Sequence, residues 1–560
     1  MIPEGESMLT VLLNWFYIAI TTFCIGCGVA KFSEKVLKYR MEGMDSLLMA
    51  GIAITTVYAQ IFSLFGGVGM SANILLLIMC AGIVFFCRKE VKVFLEDKLK
   101  SFSVPKRIVL IVLVIVWAYF TSRGEIHYDT DLYHAQSIRW IEEYGVVPGL
   151  GNLHERFAYN SSFFAFTALY SMKFLLGESL HTTSGFFALV LTITVLGISK
   201  CWKEKQFTLS GFARVGAIYY LATITDEVVS PASDYSIMCV IFFIVIKWLD
   251  LLEEKKAFSA PYGLLCVLGA YALTLKLTAG LIIVLMIKPI CLLIKEKDAK
   301  KILLYLCMGL LMAIPWFART VMISGWLIYP FPALDLFEFD WEMSSHRAEI
   351  DAMHISAWGK ALYDITRLNV PASEWIPNWF KTTLSGTEKV LILAGVCSIA
   401  IYLIIFIVSL LKKKKENVDL LLVTGVVLAS YLFWQFSAPL FRYGYAYVLL
   451  LNFMAFGWIL VHIKWKKVKQ IVYFAVMAYG LYKVLMLGVY VSQTYLQPYY
   501  IWQAEYGTYE MTAYDVDGVT IYYPLEGDRA GYDYFPSTHL EVDVELRGDG
   551  LEDGFRMRQE

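Results

Sequence analysis

The chain has 560 residues, of which 58% are hydrophobic and only 17% are charged, and its formal net charge is −1 at pH 7. Soluble domains are about 45–50% apolar and about 25% charged, so this composition excludes an ordinary soluble domain and predicts a membrane protein. The near-zero net charge argues against a nucleic-acid partner, because it provides no global attraction to phosphate backbones.

Long apolar segments alternate with short basic ones along the chain. A helix needs about 20 apolar residues to cross a bilayer, and cytoplasmic loops collect Lys and Arg. Placing every basic segment in the cytoplasm predicts about 14 transmembrane helices with both chain termini outside. The basic segments lie at residues 31–40, 88–107, 200–205, 255–256, 295–301, 412–415 and 464–469.

Residues 158–176 test this topology, because they are apolar enough to pass for one more span. A span there would place the basic residues 200–205 outside and would invert every later loop. We therefore predict that residues 158–176 form a helix lying at the outer interface, where aromatic side chains are favoured. Residues 181–199 would then form the next span.

Two long loops and the C-terminal tail fall on the predicted outer side. The loops cover residues 122–180 and 324–387, and the tail covers residues 494–560. The tail is acidic and rich in Gly and Tyr, unlike the chain before it. This composition predicts a small cap that is β-rich or irregular.

The first loop begins with a pair of carboxylates. Asp129 and Asp131 come directly after the fourth predicted span and precede an amphipathic helix over about residues 133–144, which is predicted to lie along the membrane. A carboxylate held there has the chemistry of a general base towards a hydroxyl group. The alternative is that Asp129 or Thr130 merely caps the helix, as Asp and Thr often do.

Further charged and polar residues are predicted at the same depth on the outer side. Snorkelling explains any single Lys or Arg at a helix end, and a charge such as Lys276 within an apolar stretch is costly unless it is paired or solvated. Snorkelling does not explain why cations collect beside carboxylates and histidines on one face, which instead predicts a site. The residues are His134, His154, Arg156, Asn160, Asp226, Glu227, Asp234, Lys276, Arg319 and Arg442.

With these residues in view, the chain resembles the type C (GT-C) glycosyltransferases, membrane enzymes that use sugars linked to polyprenyl phosphate. Asp129-Thr130-Asp131 with Tyr133 resembles the acidic motif of their first outer loop, and Asp234 in SPASD resembles a second acidic site. A group of uncharacterised bacterial membrane proteins of this type is more similar still. The similar blocks are YDTDLYHAQSIRWIEEYGVVPGLGNLHERFAYNSS, TLKLTAG, IPWFART, SGWLIYPFP, FSAPLFRYGY, YPLEGD and ELRGDGLEDGF.

The resemblance runs from about Tyr119 to the C-terminus. It implies three parts: N-terminal helices over residues 1–106 that are additional to the core, a GT-C-like transmembrane core over 107–493, and the outer tail over 494–560. The implied fold is an all-α polytopic membrane protein with interfacial helices in the first outer loop. The implied location is the bacterial inner membrane, with the active site on the extracytoplasmic side.

The resemblance also implies an activity and roles for residues. A sugar would pass from a polyprenyl-phosphate donor to a glycan, lipid or protein acceptor with inversion, and Asp129 would be the general base with Asp131 beside it. Cations would hold the donor phosphate, and the candidates are Lys276, Arg319, Arg442 and Arg156. Acceptor or sugar contacts would come from His134, His154, Asn160, Asp234 and Trp341.

A metal ion and a lid are additional hypotheses. Asp129 and Asp131 with a nearby histidine have suitable ligand types for a divalent ion, although a solvated acidic loop is the alternative, and no other cofactor is expected. The second loop and the tail would form a lid with aromatic surfaces for sugar stacking, or the aromatic residues would anchor the loop at the interface. The side chains concerned are Trp341, His346, Trp358 and Trp375.

Two other classes of function remain open at this point. A polysaccharide polymerase or ligase also has many spans, but it would favour outer loops centred on Arg and His over an acidic first loop. A lipid or solute transporter would place ionisable groups near the bilayer midplane and would show paired repeats with broken helices. The predicted ionisable groups lie at the outer helix ends instead.

Overall fold

The computed structural model describes residues 8–101, 103–122, 127–198, 207–412, 415–463, 466–494 and 506–558. Ten helices in these ranges are long and apolar enough to cross a membrane, which confirms an all-α, multi-pass membrane protein. They are Met8–Leu37, Met44–Ser63, Met70–Arg88, Val104–Thr121, Ser233–Glu253, Leu277–Glu296, Ala299–Ser324, Gly386–Val408, Val418–Ser437 and Phe441–His462. The basic residues Lys200, Lys203, Lys205, Lys413, Lys414 and Lys464 lie outside the described ranges.

The helices of eight or more residues are numbered here in chain order. The first nine are α1 Met8–Phe32, α2 Met44–Ser63, α3 Met70–Ser101, α4 Val104–Thr121, α5 Ala135–Glu143, α6 Ser162–Tyr170, α7 Thr183–Val195, α8 Leu209–Thr223 and α9 Ser233–Glu253. The others are α10 Ser259–Leu275, α11 Ile287–Glu296, α12 Ala299–Ser324, α13 Ser345–Gly359, α14 Ala372–Thr382, α15 Gly386–Lys412, α16 Lys415–Ser437, α17 Phe441–His462 and α18 Lys466–Thr494. A 3-10 segment, Leu277–Met286, leads directly into α11.

Four of the predicted spans fall on helices outside the set of ten. Helices α7, α8 and α10 have 13, 15 and 17 residues, fewer than the roughly 20 that cross a bilayer on their own. Helix α18 has 29 residues. The count of about 14 spans therefore stays a prediction.

Helix α6 occupies the segment that was predicted to lie at the outer interface. It is nine residues long, about 14 Å, which is too short to span a bilayer. All nine of its residues are buried, and Phe163 and Phe166 each pack against Phe187 of α7 with ring centroids 5.8 Å apart. The aromatic side chains of α6 therefore fill the core beneath the first loop. A position at the outer membrane interface stays a prediction for residues 158–176.

Helix α5 likewise does not lie along a lipid surface. Its apolar face packs on α6, and its other face is covered by the C-terminal tail, where the rings of Trp140 and Phe535 lie 4.8 Å apart. The amphipathic pattern that predicted a membrane-surface helix therefore reflects burial between two layers of protein.

Helices α1 and α2 belong to the same buried core as the later helices. A side chain at Gly51 would collide with the backbone of Thr22, so the two helices approach each other more closely than bulkier residues would allow. Asn14 and Trp15 of α1 donate hydrogen bonds to the carbonyls of Tyr170 and Thr182 at 2.8 and 2.9 Å. The N-terminal helices thus support the loop that follows α4.

The C-terminal tail forms a small β-rich cap over residues 506–558, as predicted. Strands β1 (Met511–Val516) and β2 (Val519–Pro524) pair antiparallel around a turn at Asp517 and Gly518, both of which have positive φ. Strands β3 (Val544–Leu546) and β4 (Phe555–Met557) form a second antiparallel pair. The cap and the first loop share one apolar core, built from Trp140, Val147, Leu153, Val516, Ile521, Val544 and Phe555.

Candidate functional site

Arg442 lies at the centre of a cluster of charges at the first turn of α17. Its Nη2 contacts Asp129 Oδ2 at 2.5 Å, its Nε lies 3.1 Å from Asp234 Oδ2, and its Nη1 contacts His127 Nε2. A cation is disfavoured near a helix N-terminus, where the helix dipole is positive. The two carboxylates compensate for this position, so the arginine is held by partners from distant parts of the chain.

Asp234 links Arg442 to a second cation. It lies in the first turn of α9, where a negative charge interacts favourably with the helix dipole. Its Oδ1 contacts the Nζ of Lys276, which directly follows α10. The same ammonium group lies 3.5 Å from the ring centroid of Tyr443. Each of these charges is therefore paired, as buried charges must be.

Asp129 faces this cluster from the first loop. Arg156 approaches its Oδ1 at 4.0 Å, and His127 Nδ1 lies 3.8 Å from its Oδ2. Burial alone would raise the pKa of Asp129, but Arg442, with His134, His127 and Arg156, holds that pKa below its ordinary value. Asp129 precedes the helical turn without a capping hydrogen bond from its side chain. The Asp129 carboxylate is therefore an ion-pair partner and does not cap this turn.

The cluster carries a small excess of positive charge. Three cations (Arg442, Lys276 and Arg156) and two carboxylates (Asp129 and Asp234) sum to +1. Burial, with Arg442 as the next cause, lowers the pKa of His127, which favours its neutral form. A group of this charge is suited to an anion that competes with the carboxylates for the guanidinium and ammonium groups.

A cavity of about 310 Å³ opens beside Arg442. It lies between α8, α9, the first turn of α15 and α17, and it combines aromatic and acidic side chains. Glu227 in this cavity accepts a hydrogen bond from the Tyr235 hydroxyl at 2.6 Å. The cavity therefore offers both ring surfaces and hydrogen-bond acceptors next to the charged cluster.

Asp131 does not join this cluster, although it is only two residues from Asp129. Its Oδ2 accepts a hydrogen bond from the Tyr509 hydroxyl of the cap at 2.7 Å, and its carbonyl accepts from the backbone N–H groups of Ala530 and Gly531 at 3.0 and 2.9 Å. Burial raises its pKa, against the opposing effect of Tyr509. The structure thus places Asp131 in the attachment of the cap.

The two aspartates are accordingly not arranged as a metal site. Asp129 contacts cations, whereas Asp131 contacts a phenol, and His134 packs against the rings of Tyr133 and Phe164 with its Nδ1 3.3 Å from the Thr130 hydroxyl. Among the described residues, the side chains grouped closely enough to hold a metal ion are His154, Glu155 and His539.

Arg319 lies apart from the other predicted phosphate ligands. It is 1% exposed within α12, and its Nε donates to Asn160 Oδ1 at 3.0 Å while its Nη1 contacts the Ser63 hydroxyl. Asn160 in turn donates to the Trp316 carbonyl and the Thr320 hydroxyl at 3.0 and 2.8 Å. Arg319 and Asn160 therefore hold the first loop onto α12, and the structure does not bring them to the cavity.

The remaining predicted sugar contacts are also engaged by protein. The Trp341 ring is stacked on Phe339 at 4.4 Å, and the Arg547 guanidinium of the cap lies 4.5 Å from its centroid. His154 packs against His539 of the cap. In the second loop, Trp375 is buried, whereas Trp358 and His346 are exposed.

Sequence reasoning missed two groups of residues around this site. His127 stands two residues before Asp129 and contacts Arg442, and its closeness in sequence to the acidic motif was the available signal. Cap residues contact the same loop: Tyr128 bonds to Asp528, and the Arg529 guanidinium lies 4.8 Å from the Tyr128 ring centroid. No sequence spacing could reveal these contacts, because about 400 residues separate the partners.

A sequence model of a family described as a domain of unknown function (DUF8201) matches residues 8–449, which is more than half of the 560-residue chain. The matched range begins at the start of α1 and ends within α17. It includes the three N-terminal helices that the resemblance to GT-C enzymes left outside the core, and it leaves out the cap. No functionally curated protein matches the sequence.

Proposed function

Since this chain belongs to the DUF8201 family, which has no assigned function, we propose from the site itself that it is a membrane glycosyltransferase of the GT-C type. It transfers a sugar from a polyprenyl-phosphate donor to an extracytoplasmic glycan, lipid or protein acceptor, and it inverts the anomeric centre. The single observation that supports this most is the bridge from Asp129 through Arg442 to Asp234 and Lys276, beside a cavity at the helix ends.

In this proposal the cations bind the lipid phosphate of the donor. Arg442 presents a planar fork of donors that suits phosphate oxygens, and Lys276 adds a second charge from the other side of Asp234. The phosphate competes with Asp129 for the guanidinium. Weakening of the ion pair then raises the basicity of the Asp129 carboxylate at the moment when the donor is in place.

The transfer itself is one displacement. Asp129 takes the proton of the acceptor hydroxyl while the hydroxyl oxygen forms a bond to the anomeric carbon. The bond between that carbon and the phosphate oxygen breaks on the opposite face, and the lipid phosphate leaves with the electron pair. Arg442, Lys276 and Arg156 stabilise the negative charge that grows on the phosphate.

The proposed membrane arrangement follows from the same assignment. About 14 spans would cross the bacterial inner membrane: the ten long apolar helices and, in addition, α7, α8, α10 and α18. The charged cluster and the cap would then lie on the extracytoplasmic side. Short spans such as α7 would be accommodated by local thinning of the bilayer or by the surrounding helices.

The test compares the purified protein with the Asp129→Asn variant in an assay that measures release of polyprenyl phosphate. A panel of polyprenyl-phosphate sugars is supplied with glycan, lipid and peptide acceptors. Asp549→Asn is the matched control, because it removes an exposed carboxylate of the cap, away from the cluster, by the same chemical change. We expect release by the unmutated protein and by Asp549→Asn, and a loss of about 10²–10⁴-fold in Asp129→Asn.

The other outcomes of this assay separate the transferase reaction from the role of Asp129 in it. Equal release by all three proteins would retain the transferase and remove Asp129 as its base. A second measurement follows binding of undecaprenyl phosphate by native mass spectrometry, with Arg442→Gln as the comparison. A protein that neither releases nor binds the lipid phosphate would contradict the proposal.

A further inference from the structure

Three metal-ligand side chains meet where the first loop touches the cap. His154 and Glu155 stand at the start of a short 3-10 helix in the first loop, and His539 lies in the cap between β2 and β3. One ligand atom from each of the three side chains lies within 4.8 Å of the others. The group is separate from the ion pairs of Arg442.

The distances are too long for direct hydrogen bonds but suit an ion between the groups. His154 Nδ1 lies 3.6 Å from Glu155 Oε2, and His539 Nε2 lies 3.8 Å from Glu155 Oε1. Ligands bound tetrahedrally to zinc at about 2.0–2.2 Å are roughly 3.3–3.5 Å apart. Both imidazoles therefore face the carboxylate at nearly the separation that ligands of one ion have.

The three side chains are largely covered by protein. The His154 side chain is 1% exposed, and those of His539 and Glu155 are 19% and 25% exposed. The imidazole rings lie with centroids 4.1 Å apart, and the other ring nitrogens, His154 Nε2 and His539 Nδ1, have no hydrogen-bond partner. These two nitrogens are not the ones that face Glu155, so the support for an ion comes from the placement of His154 Nδ1 and His539 Nε2 around the carboxylate.

We propose that His154, Glu155 and His539 bind one divalent transition-metal ion, most suitably zinc, and that this ion fastens the cap to the first loop. Two imidazoles and a carboxylate are preferred zinc ligands, and a fourth position would remain for water. The Arg156 backbone N–H contacts His154 Nδ1 at 3.3 Å, and Arg347 Nη2 lies 3.8 Å from Glu155 Oε2. Metal binding replaces these two longer contacts.

The position of the ion gives it a role beyond holding the cap. Arg156 directly follows Glu155 and approaches Asp129 at 4.0 Å. An ion on His154 and Glu155 therefore fixes the backbone of the segment that carries Arg156. This inference does not depend on the reaction, because it concerns only metal binding and cap docking.

The test uses the purified full-length chain after chelation and desalting. Binding of Co²⁺ is followed by visible absorption, and Zn²⁺ is then added in competition. The variants are His539→Ala, His154→Ala and Glu155→Gln, and the control is His354→Ala, an exposed histidine of α13. We expect one equivalent of metal in the unmutated protein and the control, and an affinity at least about tenfold weaker in each of the three variants.

Proteolysis of the cap provides the second readout, and size-exclusion chromatography establishes that each variant is folded. Zinc should slow cleavage within residues 506–558 in the unmutated protein and in His354→Ala. No binding by the unmutated protein, or full binding by the three variants, would overturn the proposed site. Binding that leaves the cleavage rate unchanged would overturn the fastening role. Because the variants come from both sides of the contact, misfolding of one leaves the test intact.

Discussion

Arg442 and Arg319 are two arginines at helix ends with opposite surroundings. Arg442 is a quarter exposed, contacts two carboxylates and borders a cavity. Arg319 is 1% exposed and contacts the neutral oxygens of Asn160 and Ser63. In the sequence both are single cations at the ends of apolar segments, and both were predicted to bind the donor phosphate.

Two properties therefore distinguish a functional arginine from a structural one: the chemistry of its partners and the access of solvent or ligand to its guanidinium. A guanidinium held by carboxylates beside a cavity can exchange those partners for a phosphate. A guanidinium sealed among neutral oxygens satisfies polar groups that would otherwise be buried without partners. The two arginines should therefore respond differently to substitution.

Replacing Arg442 should have the largest effect on transfer. In Arg442→Gln the developing charge on the leaving phosphate loses its fork of donors, so transfer should fall by about 10²–10³-fold per folded molecule. Release of polyprenyl phosphate, normalised to the folded fraction from size-exclusion chromatography, measures the effect. Arg442→Lys keeps the charge without the planar fork and should give an intermediate rate. An unchanged rate in Arg442→Gln would remove the distinction between the two arginines.

Replacing Arg319 should reduce stability and leave transfer intact. Arg319→Met keeps the length of the side chain but leaves Asn160 Oδ1 and the Ser63 hydroxyl without this partner. The expected loss is about 1–3 kcal/mol in the free energy of unfolding, measured by denaturant titration in detergent. Transfer per folded molecule should match that of the unmutated protein. A loss of transfer as large as that in Arg442→Gln would show that Arg319 also serves the reaction.

These two residues also show how far sequence reasoning reached. Composition and apolar segments predict a multi-pass helical protein because the length needed to cross lipid is fixed. The same reasoning selected Asp129, Asp234, Lys276 and Arg442, because charges at apolar helix ends are conspicuous. It could not separate Arg319 from them, because its partners come from α2 and from the first loop.

The first loop and the cap show a second limit of the sequence. The amphipathic pattern of α5 predicted a surface helix, whereas the cap covers one side of it and α6 the other. Periodicity identifies a buried face but not the identity of what buries it. Contacts over nearly 400 residues, such as that between Asp131 and Tyr509, have no local signal at all.

Gln136 tests whether the cap depends on these distant contacts. Its Nε2 donates to the cap carbonyls of Gly531, Tyr532 and Tyr534 at 3.0, 3.3 and 2.9 Å. Gln136→Ala should weaken cap docking by about 1 kcal/mol, seen as faster proteolysis within residues 506–558. Glu541→Ala, an exposed change within the cap, is the control. Equal cleavage rates in both variants would mean that the cap is held without Gln136.

Replacing Asp131 should have the smallest effect. The two aspartates differ in the same way as the two arginines. Like Arg319, Asp131 contacts protein rather than the cavity, so Asp131→Asn should keep its transfer activity while Asp129→Asn loses it. Burial raises the pKa of Asp131 in the folded protein, so folding favours its protonated form. The neutral amide of Asn resembles that form at every pH.

The sign of the pH dependence follows from this shift. Below the unfolded pKa of about 3.9, Asp131 is protonated in both states, and the variant and the unmutated protein should have similar stability. As the pH rises through the raised folded pKa, the unmutated protein loses the stability of the protonated form, whereas the variant does not. The melting temperature of Asp131→Asn minus that of the unmutated protein should therefore increase from acid towards neutral pH and then level off. A difference that grows as the pH falls would instead mean that the charged carboxylate stabilises the cap, as an ion pair would.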